Sequence, residues 1–170
     1  MKKLYIIFTV LMFSVFAAQS QKFAFVDTEY ILKKIPAYTT AQEQLERLSK
    51  QYQDEIEAKF KVVEELYNKY QSEKVLLTEE MRQKRESEII TKEREVKELQ
   101  KSYFSPEGIL AKKREELFKP IEDKVFNAIK EIATEGAYAT IFDIANNPAF
   151  IYNNPRFDLS DKVLEKMGFK

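Results

Sequence analysis

Apolar residues recur at Leu45, Leu48, Tyr52, Ile56, Phe60, Val63, Tyr67 and Tyr70, with spacings of 3, 4, 4, 4, 3, 4 and 3. That period predicts an amphipathic or coiled helix with a single apolar face. Nothing breaks it nearby, because the 69 residues between Pro36 and Pro106 contain neither Gly nor Pro. A straight rod of that many residues would be about 100 Å long and would need a partner for its stripe. The stripe thins between Glu79 and Glu95, where Met81, Ile89 and Ile90 are the only large apolar residues, and resumes at Val96, Leu99, Tyr103 and Phe104. We read this as an antiparallel hairpin with its tip at residues 75–81. Thr78 caps the second helix there, and Glu79 and Glu80 sit at the positive end of its dipole. The alternative is an unbroken helix in a parallel coiled-coil rod.

Glycine and proline punctuate the rest of the chain. The run Ser105-Pro106-Glu107-Gly108 predicts an elbow at 105–108, with Ser105 as N-cap and Pro106 as the first residue of a new helix. Leu110, Leu117, Ile121, Val125, Ile129 and Ile132 carry its apolar face toward Gly136, a natural residue for a helix end. Pro120 removes one backbone hydrogen bond and should bend this helix. Ser105, Pro106, Gly108 and Pro120 are therefore the hinge candidates, and replacing Gly108 with Ala is expected to stiffen the joint. Strands are predicted at 23–27, 138–144 and 149–152. Asp27 caps a short helix through Tyr30, Ile31 and Leu32. Ser160 caps a last helix, stapled by Leu159 and Leu164 and closed by Gly168. A strand at each end of the helical hairpin means that the hairpin starts and finishes on one small sheet.

Charge and composition narrow the chemistry. Lys2 and Lys3 precede an uncharged stretch at 4–18 and the small-residue site Ala18-Gln19-Ser20, the pattern of a secretory signal peptide cleaved after Ser20. A retained membrane anchor would need about 20 apolar residues. The expected organisation is a signal peptide at 1–20, the first strand and short helix of a body at 21–37, a helical arm at 38–136, and the remaining body strands and C-terminal helix at 137–170. The 170 residues carry 28 Lys plus Arg and 28 Asp plus Glu, with 44% hydrophobic residues, a combination that long solvated helices reconcile. There is no His and no Cys, which excludes His/Cys zinc sites, Ser-His-Asp and Cys-His nucleophiles, and disulfides. No Walker-type phosphate loop is present. Neighbouring carboxylates such as Glu64 and Glu65 point about 100° apart on a helix, which is surface charge and not acid–base machinery. We expect no enzyme and no cofactor. A body of about 60 residues with open strand edges is marginal alone, so oligomerisation is expected, by default as a dimer.

Three landmarks stand in a recognisable order. They are the opening Phe23-Ala24-Phe25-Val26-Asp27, the charged helical hairpin, and the closing Tyr138-Ala139-Thr140-Ile141-Phe142-Asp143 with Ile151-Tyr152-Asn153 and Asp158-Leu159-Ser160-Asp161-Lys162-Val163-Leu164. Over essentially the whole mature chain this resembles the Skp/OmpH family of periplasmic chaperones. The resemblance implies an α+β, predominantly helical fold, with a long antiparallel hairpin on a small β-strand body. It also implies a homotrimer with a β-barrel-like hub and arms around a cavity. The implied function is an ATP-independent periplasmic holdase for unfolded outer-membrane β-barrel proteins. The trimer body would then use Phe23, Phe25, Ile141, Phe142, Ile144, Ile151 and Tyr152.

Adaptable aromatic and Met side chains suit the holding of a non-native client. Tyr52, Phe60, Tyr67, Tyr70, Met81, Tyr103 and Phe104 are the contact candidates, with Met81 and the elbow aromatics first. Well-known members carry strongly basic arms, whereas residues 38–106 here hold 13 basic against 15 acidic residues. That balance argues against electrostatic attraction to lipopolysaccharide or a membrane surface, and against nucleic acid. The competing function is a coiled-coil spacer or adaptor of the cell envelope, which charged heptads would serve equally well.

Overall fold

The computed structural model describes residues 21–169, so the signal peptide expected at 1–20 lies outside the described residues. The element order is β1 (Lys22–Val26), α1 (Thr28–Lys34), α2 (Pro36–Glu73), a 3-10 turn (Lys74–Leu76), α3 (Glu79–Phe104), α4 (Ile109–Glu135), β2 (Tyr138–Asp143), a second 3-10 turn (Pro155–Phe157) and α5 (Ser160–Lys166). The chain divides into two units. One is Ile35–Asp123, here called the arm. The other, the body, joins the described part of Met1–Lys34 to Lys124–Lys170.

In the arm, the expected apolar stripe becomes the seam of an antiparallel hairpin. Ile56, Val63 and Tyr70 of α2 are buried with Ile89 and Val96 of α3, and Leu66, Leu77, Leu99 and Tyr103 pack against them. The hairpin replaces the alternative of an unbroken rod. Helix α2 ends at Glu73, a 3-10 turn follows, and Thr78 takes an extended conformation and accepts a hydrogen bond from Met81 N at 3.3 Å. Such a cap contributes about 1 kcal/mol. Met81 thus belongs to the first turn of α3 and not to the tip.

The elbow differs from expectation in detail. Ser105 does not start a helix; its N–H donates to Lys101 O and closes α3. Residues 105–108 form a turn in which Gly108 N donates to Ser105 O at 2.8 Å, and Gly108 O accepts from Lys112 N at the start of α4. Proline occupies the turn, not the first helical position. Helix α4 runs unbroken through Pro120.

The body is built on a parallel pair of strands, the first and last among the described residues. Ala24, Phe25 and Val26 stand opposite Ile141, Phe142 and Asp143, after a register shift between Lys22 and Phe23. Ala24 and Val26 are buried, as are Ile31 of α1, Val125, Ala128 and Ile132 of α4, and Leu159, Val163 and Leu164 around α5. Two carboxylates cap α1, as Asp27 Oδ1 accepts from Tyr30 N and Asp143 accepts from both the amide and the hydroxyl of Thr28. Gly168, at φ +84°, closes α5 with the paired bonds Phe169 N to Leu164 O and Gly168 N to Glu165 O, as expected for a Schellman end.

Three body assignments need correction. Ser160 does not cap α5: its hydroxyl accepts from Asp27 N at 2.8 Å, and Asp158 Oδ1 accepts from Ser160 N instead. The left-handed residue after α4 is Ala137, at φ 50°, and not Gly136. A Cβ on Gly136 would lie 2.3 Å from the Tyr138 ring, so this glycine is needed for space. Residues 149–152 form no strand in the chain taken alone. Asn147 spends its carboxamide oxygen on Ala149 N and its carbonyl on Phe150 N, a turn that consumes the groups a ladder would use.

Candidate functional site

Two surfaces collect the aromatic residues. On the arm, three of the seven contact candidates serve the seam. Tyr52 stacks on Tyr103 with ring centroids 4.0 Å apart and planes 8° from parallel. The Tyr103 hydroxyl donates to Glu55 Oε2 at 2.8 Å. Tyr70 is buried and donates its hydroxyl to Glu86, with Lys74 Nζ above its ring at 5.5 Å. Each tyrosine thus crosses from one helix to a carboxylate on the other, one near the elbow and one near the tip. Phe60, Tyr67, Met81 and Phe104 are instead exposed, as are Val62 and Ile90.

The most exposed apolar pair on the arm lies where the stripe does not reach. Val75 and Leu76 are each 87% exposed, while Leu77 turns inward against the seam. Arg82 Nε donates to Lys74 O and fixes the turn that displays them. The sequence signal was present as an apolar triplet at a helix tip, but periodicity does not say which of its members faces water.

The carboxylates raise the pKa of both clamping tyrosines above the ordinary phenol value, the hydrogen bond from the hydroxyl being the largest cause and desolvation the next. A raised tyrosine pKa means that the folded state holds the proton more tightly than the unfolded chain. Its stabilising contribution is complete below the ordinary tyrosine range near pH 10 and is lost as pH rises through the folded value. Melting curves by circular dichroism should therefore show the arm weakening as pH rises above about 10, the ordinary tyrosine value. A Tyr70→Phe, Tyr103→Phe double variant should lose most of that dependence. An equal alkaline loss in the double variant would show that the clamps do not carry it.

On the body, Phe23 stacks on Phe142 at 6.4 Å, and Phe142 meets Phe150 at 5.8 Å. These rings line a cavity of about 750 Å3 together with Phe25, Tyr152 and Phe157. Ile151 is 98% exposed and Tyr152 79%. Ile141 and Ile144 are half-buried. Strand β1 is bonded to β2 on one side and bridged by Phe25 to Asp158 on the other, with Leu159 N donating to Phe25 O. Among the described residues nothing pairs with the far edge of β2, which leaves its backbone donors and acceptors open.

The hinge candidates differ in setting. Gly108 is buried in its turn, Pro106 and Pro120 are exposed, and Ser105 is half-buried. Among the described residues there is no group of acidic side chains able to hold a metal ion, and no helix long and apolar enough to cross a membrane.

A family model described as outer membrane protein (OmpH-like) matches residues 22–167. No curated protein matches the chain. Among solved structures, a candidate outer membrane chaperone (OmpH-like) from Caulobacter crescentus CB15 superimposes with a TM-score of 0.67 at 9% identity. The match covers 85% of this chain and 82% of that one, so the likeness is one of fold.

Proposed function

Because this chain belongs to the OmpH-like outer membrane protein family, we propose that it is an ATP-independent holdase chaperone of the periplasm, acting on unfolded outer-membrane β-barrel proteins. The observation that carries this reading is the set of apolar side chains left in water on otherwise charged helices, namely Phe60, Tyr67, Met81 and Phe104 with Val75 and Leu76 at the tip. Many separate weak apolar contacts hold a non-native chain without selecting one conformation, which a single deep pocket would do. Tyr52, Tyr70 and Tyr103 serve by keeping the two helices together.

The chaperone works as a homotrimer in this reading. Phe23, Phe25, Ile141, Phe142, Ile144, Ile151 and Tyr152 form the contact surface, and the free edge of β2 is where a neighbour's strand adds. The segment 149–152 has strand-forming composition but pairs with no strand of its own chain, which suits it to that role once the Asn147 turn gives up its bonds to Ala149 and Phe150.

The test is aggregation of a urea-denatured β-barrel membrane protein on dilution. The protein from Gln21 onward should keep it soluble at stoichiometric ratio without ATP, and an undiminished rise in turbidity overturns the reading. Native mass measurement should give three copies; a folded monomer at micromolar concentration removes the trimer.

A further inference from the structure

On the face of the sheet that meets α4, burial falls from one strand to the next. Ala24 and Val26 of β1 are buried, whereas Ile141 of β2, directly opposite Ala24, is only half-buried. The helical cover therefore thins over β2. Helix α5 closes the β1 side. Phe25 bridges to Asp158, Leu159 N donates to Phe25 O, and Lys166 reaches Glu131 and Glu135 on one flank of α4 at 3.0 and 2.7 Å. At about 100° per residue, Phe126, Ile129 and Ala133 fall on the opposite flank, toward the open edge of β2. Phe126 is 65% exposed there, with Ile129 and Ala133 half-buried beside it. An apolar ledge and a row of free backbone groups thus stand side by side on the body.

An added strand satisfies both at once, with its backbone on the β2 edge and alternate side chains on the ledge. The chain's own exposed segment runs the wrong way to supply it. After β2, Ile144 N donates to Val26 O, Asn146 Nδ2 donates to Glu29 Oε2 of α1, Phe150 lies against Phe142, and Asp158 arrives at the outer edge of β1. Residues 149–152 therefore cross the aromatic face away from the edge of β2. The same segment of a second copy is under no such constraint, and its pattern fits. Neighbouring residues of a strand face opposite ways, so a strand that turns Tyr152 toward the Phe23–Phe142 rings sets Ile151 over Phe126. In its own chain Ile151 stands almost wholly in water.

We infer that Phe126, with Ile129 and Ala133, is the seat for Ile151 of a second copy. The inference rests on the oligomeric reading and adds α4 to its contact surface. The chain has no Cys, so introduced thiols report alone. Phe126→Cys chains refolded together with Ile151→Cys chains should join through a short bis-maleimide into a mixed pair. Phe126→Cys chains refolded with Lys162→Cys chains, whose thiol lies on the exposed side of α5, should not. Phe126→Glu should weaken association about tenfold or more and leave the far-UV circular dichroism of the protein unchanged, because this ring lies outside the core; Phe126→Leu should keep association near wild type. A wild type that is a monomer by native mass measurement overturns the oligomeric reading and the seat with it. A wild-type oligomer with no crosslink from position 126 to position 151, and with Phe126→Glu assembling as tightly, overturns the seat alone. Crosslinking from position 126 to a denatured β-barrel client in preference to a second copy overturns it as well.

Discussion

Replacing Ile132 with Ala should lower the unfolding free energy of the body by about 3 kcal/mol, read from a shift in the urea midpoint at unchanged slope and fixed protomer concentration. Ile132 is fully buried in α4, among the few large side chains of the body without contact with water. Truncation removes its burial and leaves a void that close-packed neighbours only partly fill. A domain stabilised by about 5–15 kcal/mol in total feels such a loss strongly. Ile90→Ala, at a position 63% exposed on α3, should by contrast change stability by less than about 0.5 kcal/mol. Equal midpoints for the two variants would mean that the body is not organised around Ile132.

Gly108→Ala should destabilise the arm by about 2 kcal/mol and not stiffen it. A Cβ at this position would sit 2.8 Å from Tyr103 O and 2.9 Å from both Ser102 O and Ser105 O, and all three are backbone atoms that cannot swing aside. The turn must open, which strains the 2.8 Å bond from Gly108 N to Ser105 O and the start of α4 with it. Thermal melting followed by far-UV circular dichroism tests this, with Glu107→Ala as the neighbouring control. Wild-type melting in Gly108→Ala would mean that the elbow is slack enough to move and would restore it as a hinge.

What the sequence made legible was local. The cap at Thr78, the glycine end at Gly168 and the cap of α1 by Asp27 each depend on groups within a few residues, and local residue order carries that information. The heptad stripe likewise revealed the seam, because one helix face must be buried whatever its partner. Where two local devices compete, the winner is set from elsewhere in the chain. Ser160 has the chemistry of a cap, but its hydroxyl is claimed by Asp27 N, 133 positions away, and Asp158 substitutes for it. Gly136 has the freedom of a left-handed residue, yet the Tyr138 ring needs its empty side and Ala137 takes the positive φ. For the candidate site the limit is similar. Spacing puts Tyr67 and Tyr70 on neighbouring parts of one stripe, and only the position of α3 decides that Tyr70 is buried while Tyr67 stays 49% exposed.

The parallel pairing of β1 with β2 also fixes an order of assembly. The bond from Thr28 to Asp143 joins groups 115 positions apart, whereas the arm's clamps span 16 and 48. Closing a longer loop costs more entropy before any contact repays it, and such non-local pairings form slowly. The hairpin can therefore zip as soon as both its helices exist, but β1 must wait until β2, which follows the whole hairpin, has been synthesised. Until then a nascent molecule carries a finished limb and an unfinished base, with β1 unpaired.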